Sequence, residues 1–275
     1  MVNSLPWLPT RTSPALAERE LHLWRASLDV PPLLLRRLES GLNANEKERA
    51  EKFLVPEASE RFVAARGILR ELVATYLEMD PAKVDLQYGP QGKPSLSAAH
   101  KSQICFSVSH SHGMGVFAFT RGCEVGVDVE QIRANFKGME IASHFFSSEE
   151  IAVLAKLPPE LATEAFFGCW TKKEAYVKAR GHGLSIPLRS FTVQFADSQQ
   201  LLRDEEGAPW SCYALEPAPG FAGAVVAKGE NWGLKHLEWS AGISSATQWN
   251  ASTSPSVEAG INSPQSERSK TTLDG

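Results

Sequence analysis

The chain has 275 residues, of which 43% are hydrophobic and 22% are charged, and its formal net charge at pH 7 is −4. A chain of this length can bury one large core or two smaller ones, so its stability requires neither disulfides nor a structural metal. The slight excess of acidic residues argues against a surface built to bind nucleic acid, and the sequence has no run of about 20 apolar residues to span a membrane.

The first half is predicted to run from helices into strands. A Leu-rich stretch follows Pro32, and Asn45 is the predicted N-cap of a short helix that carries Glu46 and Glu48 in its first turn. A longer helix is predicted over about residues 58–77, because its apolar residues recur three and four positions apart. Alternating apolar residues then predict strands at Val84–Tyr88, Ile104–Val108 and Gly115–Thr120.

The second half repeats this order. The prediction is a strand at Cys123–Val129, helices from about Ser147 and over Thr163–Arg180, and strands at Phe191–Phe195, Trp210–Leu215 and Ala222–Ala227. This weak repeat predicts an α+β fold of two halves, residues 1–122 and 123–239, with mostly antiparallel sheets. The remainder is rich in Ser, Thr, Asn and Pro, so we expect a disordered tail over residues 240–275.

Two acidic residues of the second half lie two positions apart in a predicted strand. In Gly126-Val-Asp-Val-Glu130, the strand period places Asp128 and Glu130 on one face and two valines on the other. Carboxylates held this close repel each other unless a cation neutralises them, and such hard oxygen ligands suit magnesium. Taken alone, the segment also fits a solvated strand face.

A predicted helix carries a second pair of charges, Glu174 and Lys178, one turn apart in Trp170-Thr-Lys-Lys-Glu-Ala-Tyr-Val-Lys178. This spacing is also that of an ordinary surface ion pair, which stabilises a helix only slightly. The pair therefore gains a functional meaning only from its context.

Polar residues also lie at the ends of the first-half strands. Ser109 and His110 precede a Gly-bearing turn, and Lys93 lies on the stiff turn Gly92-Lys-Pro94, where a lysine can meet a phosphate. Most turn lysines and strand-end histidines are nevertheless structural. The chain shows neither the serine elbow of a hydrolase nor a Walker-type phosphate loop.

Together these segments resemble 4′-phosphopantetheinyl transferases of the surfactin-synthetase-activating (Sfp) type. The resemblance rests on the strand motif, the helix motif, the Gly92-Lys-Pro94 turn and the Ser109-His110 pair, in that family's order. Phe145-Phe-Ser-Ser-Glu149 and Gly181-His-Gly-Leu-Ser-Ile-Pro187 extend it, so that it covers roughly residues 21–228. It implies a fold of two α+β halves related by a pseudo-twofold axis, with the ligand between them.

The resemblance implies that the protein transfers the phosphopantetheine arm of coenzyme A to a serine of an apo acyl or peptidyl carrier protein and releases adenosine 3′,5′-bisphosphate. Magnesium would be held by Asp128, Glu130 and Glu174, and Glu174 would be the general base, acting directly or through a water. Lys178 would meet the phosphate being cleaved or the departing adenylate.

The resemblance also implies a nucleotide end of the site. His110 would contact the 3′-phosphate, Ser109 and Lys93 would line the nucleotide, and Lys173 would approach a phosphate or the adenine. Two basic residues of the first half are further candidates for the 3′-phosphate site: Lys52 and Arg66.

Three further expectations concern the setting of the reaction. The stretch 133–144 would receive the carrier protein, although it also fits an ordinary mobile loop. Two halves in one chain can form the cleft internally, which predicts a monomer. The four cysteines form no close pairs, and the first residues carry no basic segment followed by an apolar run, so we expect no secretion and a reducing cytoplasmic setting.

Two other classes of protein compete with this interpretation. A binding module that holds coenzyme A or a carrier without catalysis would be expected to lack one of the three carboxylates or Lys178. A magnesium-dependent phosphodiesterase or nucleotidyl enzyme would share the metal chemistry but not the full ordered set of motifs. The sequence leaves open which carrier protein and which pathway are served.

Overall fold

The computed structural model describes residues 6–89, 92–134, 136–181 and 186–245. The described α-helices are α1 (Pro32–Ser40), α2 (Ala44–Glu51), α3 (Pro56–Leu77), α4 (Gly138–Phe145), α5 (Ser148–Leu154) and α6 (Pro159–Arg180). The strands are β1 (Leu8–Ser13), β2 (Glu20–Ser27), β3 (Leu86–Tyr88), β4 (Pro94–Leu96), β5 (Ile104–Ser111), β6 (Met114–Arg121), β7 (Val125–Gln131), β8 (Gln199–Arg203), β9 (Pro209–Leu215), β10 (Phe221–Lys228) and β11 (Gly233–Ser245).

The two halves repeat one arrangement of strands and helices. In the first half β2 pairs with β6 and β6 with β5, while in the second half β7 pairs with β10 and β10 with β9, all antiparallel. Three helices separate the first strand from the hairpin in each half, and the third is 22 residues long with proline in its first turn. The predicted α+β repeat is therefore confirmed.

Each half buries its long helix against one face of its own sheet. One apolar cluster joins α3 to β2 and β6, and a second joins α6 to β9 and β10. A third cluster draws on both sheets and includes Leu23, Val127 and Val129, so the sheets pack on each other by the faces that carry no helix. The chain therefore forms four layers, with both sheets inside.

The short helix α2 begins two residues earlier than predicted. Its N-cap is Asn43, whose side chain accepts the N–H of Glu46 while the Glu46 carboxylate accepts the N–H of Asn43. The prediction of Asn45 as the cap was wrong, because Asn43 and Glu46 have the reciprocal spacing of a capping box. The equivalent helix α5 has the same device in Ser147 and Glu150.

The segment 191–195 was predicted as a strand but has no strand partner. A 3-10 turn at Leu188–Ser190 precedes it, and buried side chains of other elements take up its backbone groups. Val193 donates its N–H to Glu150 Oε1, and Lys173 Nζ donates to the carbonyl of Phe191. The alternating apolar residues of this segment pack against α6, and the segment forms no β-ladder with the described strands.

The last strand, β11, belongs to the sheet of the first half. It runs parallel to β2 and β1 and reaches Ser245, so the expected boundary at residue 239 falls inside it. The Ser-rich composition did not predict the end of this strand, because the strand is held by backbone pairing with β1 and not by apolar side chains.

Some residues named in the predictions lie outside the described residues. They are 90–91 of the predicted turn, 135 of the stretch 133–144, 182–185 of the Gly181 motif and 246–275 of the expected tail.

Within the part of the chain that the structure covers, no helix combines the length and apolar character needed to cross a membrane.

Candidate active site

The site lies where the edge strands of the two sheets, β5 and β7, run side by side. Three serines alternate along β5, and all three hydroxyls reach β7. Ser107 Oγ accepts the N–H of Val127 at 3.1 Å, and Ser111 Oγ accepts the N–H of Gln131 at 3.2 Å. Side-chain hydroxyls thus serve as partners for backbone groups at this junction, and they fix the second-half carboxylates beside the end of β5.

Asp128 lies in the centre of this junction. Its Oδ1 accepts hydrogen bonds from Ser109 Oγ at 2.9 Å and from Lys178 Nζ at 2.7 Å. The Lys178 ammonium also lies 3.0 Å from Ser109 Oγ, so the three side chains form one network drawn from both halves. Asp128 is 4% exposed, and its other oxygen, Oδ2, is buried without a hydrogen-bond partner among the described residues.

Glu130 and Glu174 are two further carboxylates within electrostatic reach of Asp128. Both are half-buried, and burial raises the pKa of each carboxyl above its usual range. The nearby charge of Asp128 also raises both pKa values, and Glu130 adds to the effect on Glu174. Such mutual repulsion shows that the strand pair and the helix residue, predicted separately, lie within electrostatic reach of one another.

The close approach of α6 to β7 depends on Gly126. A Cβ at this position would collide with the carbonyl oxygen of Ala175 and the backbone N of Ala179. Glycine and the two alanines therefore let the helix backbone lie directly on the strand. This packing of α6 on β7 positions Glu174 and Lys178 relative to Asp128.

Lys93 ties the same two elements together. Its ammonium donates to the carbonyl of Val125 at 3.0 Å and to the carbonyl of Lys178 at 2.6 Å. Burial lowers the pKa of this lysine, and the two carbonyls are natural partners for its charge. The structure thus gives Lys93, expected at the nucleotide end, a role in fixing the end of α6 against β7.

A cluster of basic side chains from the first half, His110, Arg66 and Arg49, lies near Lys178 and is called the basic cluster below. Part of the His110 side chain reaches solvent, but the surrounding protein lowers its pKa, and the charges of Lys178, Arg66 and Arg49 lower it further. The Nε and Nη1 atoms of Arg66 are buried without a hydrogen-bond partner in the described part of the chain, although Nε lies 3.8 Å from the carboxylate of Glu46. The basic cluster therefore has N–H groups that could donate to an anion.

Arg49, missed in the sequence, is the α2 residue that acts on His110. Lys52, the predicted candidate from α2, is exposed and pairs with Glu48 at 2.8 Å. Arg49 instead lies over the ring of Phe62, with its guanidinium 5.3 Å from the ring centre. Only the packing of α2 on α3 distinguishes these two basic residues.

Lys173 lies outside the site, and its expected contact with the coenzyme does not agree with the structure. The side chain is fully buried, and its ammonium lies 2.8 Å from Glu150 Oε1. It also donates to the carbonyls of Leu188 and Phe191. One residue along a helix changes direction by about 100°, so the neighbour of Glu174 points into the core.

The residues present fit a magnesium ion that completes its shell with a substrate. The described residues hold no group of three or more His, Cys, Asp or Glu with the spacing of a preformed metal site. Magnesium, however, usually takes one or two carboxylates together with substrate phosphates and water. The unpartnered, buried Oδ2 of Asp128 and the neighbouring Glu130 meet that requirement.

Comparison with known proteins gives the family. Residues 124–226 match the family model of the 4′-phosphopantetheinyl transferase superfamily, and residues 32–121 match the 4′-phosphopantetheinyl transferase N-terminal model. The 4′-phosphopantetheinyl transferase HetI of Nostoc sp. is 34% identical over 227 residues, which cover 82% of this chain and 95% of the relative. Sfp of Bacillus subtilis (strain 168) is 28% identical over 196 residues, 70% of this chain and 84% of the relative. The chain therefore belongs to the 4′-phosphopantetheinyl transferase superfamily, enzymes that transfer phosphopantetheine from coenzyme A to carrier proteins.

Proposed function

We propose that this protein transfers the 4′-phosphopantetheine group of coenzyme A to a serine hydroxyl of an apo carrier protein through the site at the β5–β7 junction. The observation that carries the proposal is the convergence of Asp128, Glu130 and Glu174 with Lys178, from two elements of the second half, beside the basic cluster of the first half. Phosphoryl transfer requires positioned cations and a base more than it requires covalent catalysis.

In this proposal Asp128, Glu130 and Glu174 would hold magnesium. The free Oδ2 of Asp128 is the oxygen that the local hydrogen bonds leave for it. When bound, magnesium supplies charge neutralisation at the bridging phosphate oxygens of the coenzyme.

Glu174 is the proposed general base. Its carboxylate has no hydrogen bond or ion pair with another described residue, so it is available to the proton of an incoming serine. Burial raises the pKa of Glu174, which makes the carboxylate a stronger base than an exposed one. It takes the proton directly or through one water.

The reaction breaks one bond and forms one. The serine oxygen attacks the phosphorus that bears the pantetheine arm, the bond to the adenylate phosphate breaks, and adenosine 3′,5′-bisphosphate leaves. Lys178, whose side chain is 32% exposed, can donate to a phosphate oxygen while it still touches Asp128.

The basic cluster is the proposed place for the anionic nucleotide end. His110, Arg66 and Arg49 supply cationic or hydrogen-bonding groups there, and Arg66 has buried N–H groups without a hydrogen-bond acceptor among the described residues. Lys93 and Ser109 act on this end indirectly. Lys93 bonds to the backbone of α6, and Ser109 bonds to Asp128. Lys52 has a solvent-exposed partner and Lys173 a buried one, so we leave both out of the site.

The stretch 133–144 is the proposed contact for the carrier. It includes most of α4, where Met139 is 41% exposed, and it borders a cavity of about 560 Å³ that Phe136 and Met139 help to line. Exposed apolar side chains of this size suit a helix of a partner protein. Because one chain supplies both sides of the site, we propose that it acts as a monomer.

The test is to mix the protein with coenzyme A, magnesium and an apo carrier protein and to measure the carrier mass. We expect the mass gain of one phosphopantetheine on the carrier serine. Coenzyme binding without a mass gain across several carriers would favour the idle binding module. Cleavage of coenzyme A without carrier modification would favour the phosphodiesterase alternative.

A further inference from the structure

Ser111, the last residue of β5, contacts the carboxylate of Glu130 directly. Its Oγ lies 2.8 Å from Glu130 Oε2 and 3.2 Å from the N of Gln131. The side chain is buried, and it comes from the first half of the chain, whereas Glu130 belongs to the second. The contact therefore crosses the junction between the sheets.

The hydrogen bonds around Ser111 fix the direction of its hydroxyl hydrogen. The N–H of Gln131 can only donate, so it occupies a lone pair of the hydroxyl oxygen. The single hydroxyl hydrogen is then free for an acceptor. Glu130 Oε2 at 2.8 Å is much closer than His112 Nδ1 at 3.4 Å, so the carboxylate receives it.

This donation orders an otherwise loose carboxylate. In the described part of the chain, Ser111 supplies the one hydrogen bond to Glu130, and no ion pair holds this side chain. A glutamate has several rotatable bonds, and ordering them when a ligand binds costs free energy. The hydroxyl occupies Oε2 and leaves Oε1 open.

Asp128 is ordered by different means. Lys178 and Ser109 both hold its Oδ1, so the loss of one leaves the other in place. Glu130 has no such second support among the described residues. The two carboxylates of the strand therefore differ in how much each depends on one serine.

We propose that Ser111 is a positioning residue that holds Glu130 ready for the metal. The proposal rests on the proposed function, because it takes Glu130 as a magnesium ligand. Hydroxyls that bond to ligating carboxylates orient them, and their loss typically weakens metal binding roughly 10–100-fold. Ser111 itself touches neither the coenzyme nor the metal in this account.

Ser107 provides a matched control on the same strand. It is also buried and accepts a β7 N–H, that of Val127, but it bonds no carboxylate. Alanine at either position leaves one β7 N–H without its hydroxyl partner, so the stability losses should be similar. Only Ser111→Ala should change metal binding.

The experiment measures manganese binding by electron paramagnetic resonance with coenzyme A present, together with the magnesium dependence of transfer and thermal melting. We expect Ser111→Ala to raise the manganese dissociation constant and the half-saturating magnesium concentration roughly tenfold. Ser107→Ala should leave both near native, and Ser111→Thr, which keeps the hydroxyl, should restore most of the metal affinity.

Native manganese binding in Ser111→Ala, or an equal loss in Ser107→Ala, would overturn the role of Ser111. If Ser111→Ala does not fold, Ser111→Cys replaces it, since the thiol has a similar size but is only a weak donor. This variant should also raise the manganese dissociation constant, and native manganese binding in it would overturn the role of Ser111. If the native protein binds metal and transfers phosphopantetheine, and Ser111→Ala behaves identically, then the role of Ser111 is rejected and the proposed function stands. A native protein that does neither rejects the proposed function and the role of Ser111 with it.

Discussion

Lys178 Nζ lies 2.7 Å from Asp128 Oδ1, and Ser109 of the other half bonds to both. This contact neutralises part of the charge on Asp128 while the Oδ2 oxygen remains without a partner in the described residues. One carboxylate can therefore serve a lysine and a metal through different oxygens. The arrangement explains how a buried aspartate tolerates two acidic neighbours.

Asp128→Asn should raise the magnesium requirement of transfer by more than roughly tenfold, because a neutral amide is a weaker ligand for a hard cation. The measurement is the initial rate of carrier modification as a function of magnesium concentration. Glu124→Gln is the matched control, because Glu124 pairs with Lys228 in an exposed position immediately before β7. Native rates at limiting magnesium in Asp128→Asn would contradict the ligand assignment.

Glu174→Gln should lower the rate of transfer roughly 10²–10⁴-fold, since an amide cannot accept the serine proton. Coenzyme binding, measured by calorimetry, should change much less, because the proposed place of the nucleotide end is the basic cluster and not Glu174. Equal transfer rates for this variant and the native enzyme would rule out the proposed base.

Gly126→Ala should destabilise the protein by about 1–3 kcal/mol, because the added methyl meets the backbone of α6 and forces a shift. It should also slow transfer beyond the stability loss, since the shift moves Glu174 and Lys178. Gly168→Ala is the control within α6, where a Cβ meets no atom within 4 Å. That change should stabilise the helix by about 1 kcal/mol, and urea denaturation compares the two variants.

Lys173→Met should cost roughly 3–5 kcal/mol of folding free energy, because it leaves the buried Glu150 carboxylate without its partner. The equivalent change in the first half, Arg70→Met beside Glu46, should cost a similar amount. Lys52→Met removes an exposed pair and should cost no more than about 1 kcal/mol.

Coenzyme affinity separates this structural role from a contact with the substrate. Folded Lys173→Met should bind coenzyme A within a few-fold of the native protein. A specific loss of coenzyme affinity at native stability would restore Lys173 to the site.

Stability should fall as the pH drops from 6.5 towards 4, with His22 as one cause. This histidine is fully buried against Tyr76 and Glu20, and burial lowers its pKa to about 4. Between 6.5 and about 4 the unfolded state binds a proton that the folded state does not, so its contribution is complete above 6.5 and is lost on acidification. The loss can approach about 3 kcal/mol.

The measurement is the free energy of unfolding of the native protein and of His22→Gln at pH 7.5 and at pH 5. The native protein should lose more than the variant over this interval. Parallel losses in the two proteins would show that other groups account for the acid sensitivity.

The repeat of helix and strand patterns predicted the α+β halves, because each periodicity depends only on which residues are apolar. The long helices α3 and α6 and the strand motif around Asp128 followed from such local patterns. The capping residue of α2 was also present in the sequence as Asn43 and Glu46, and it was misassigned by two positions. The alternation of Ser107, Ser109 and Ser111 was likewise visible, but their partners on β7 were not.

Other features depended on contacts between distant segments. The strand β11 is held by β1 and β2, more than 200 positions earlier in the chain, and composition alone suggested a tail. The segment 191–195 has the pattern of a strand, yet its backbone serves Glu150 and Lys173. Neither outcome follows from local propensity, since both depend on which partner occupies the neighbouring space.

The sequence by itself determined the family, the chemistry of the carboxylates and Lys178, and the faces on which they lie, because residue type and period fix these locally. Only the tertiary structure decided that Lys173 is buried with Glu150, that the charge of Arg49 acts on His110 while Lys52 pairs with Glu48, and that Ser111 donates a hydrogen bond to Glu130. The reason is physical: side chains adjacent in sequence on a helix point in different directions. Which of them meets a ligand depends on what packs against each face.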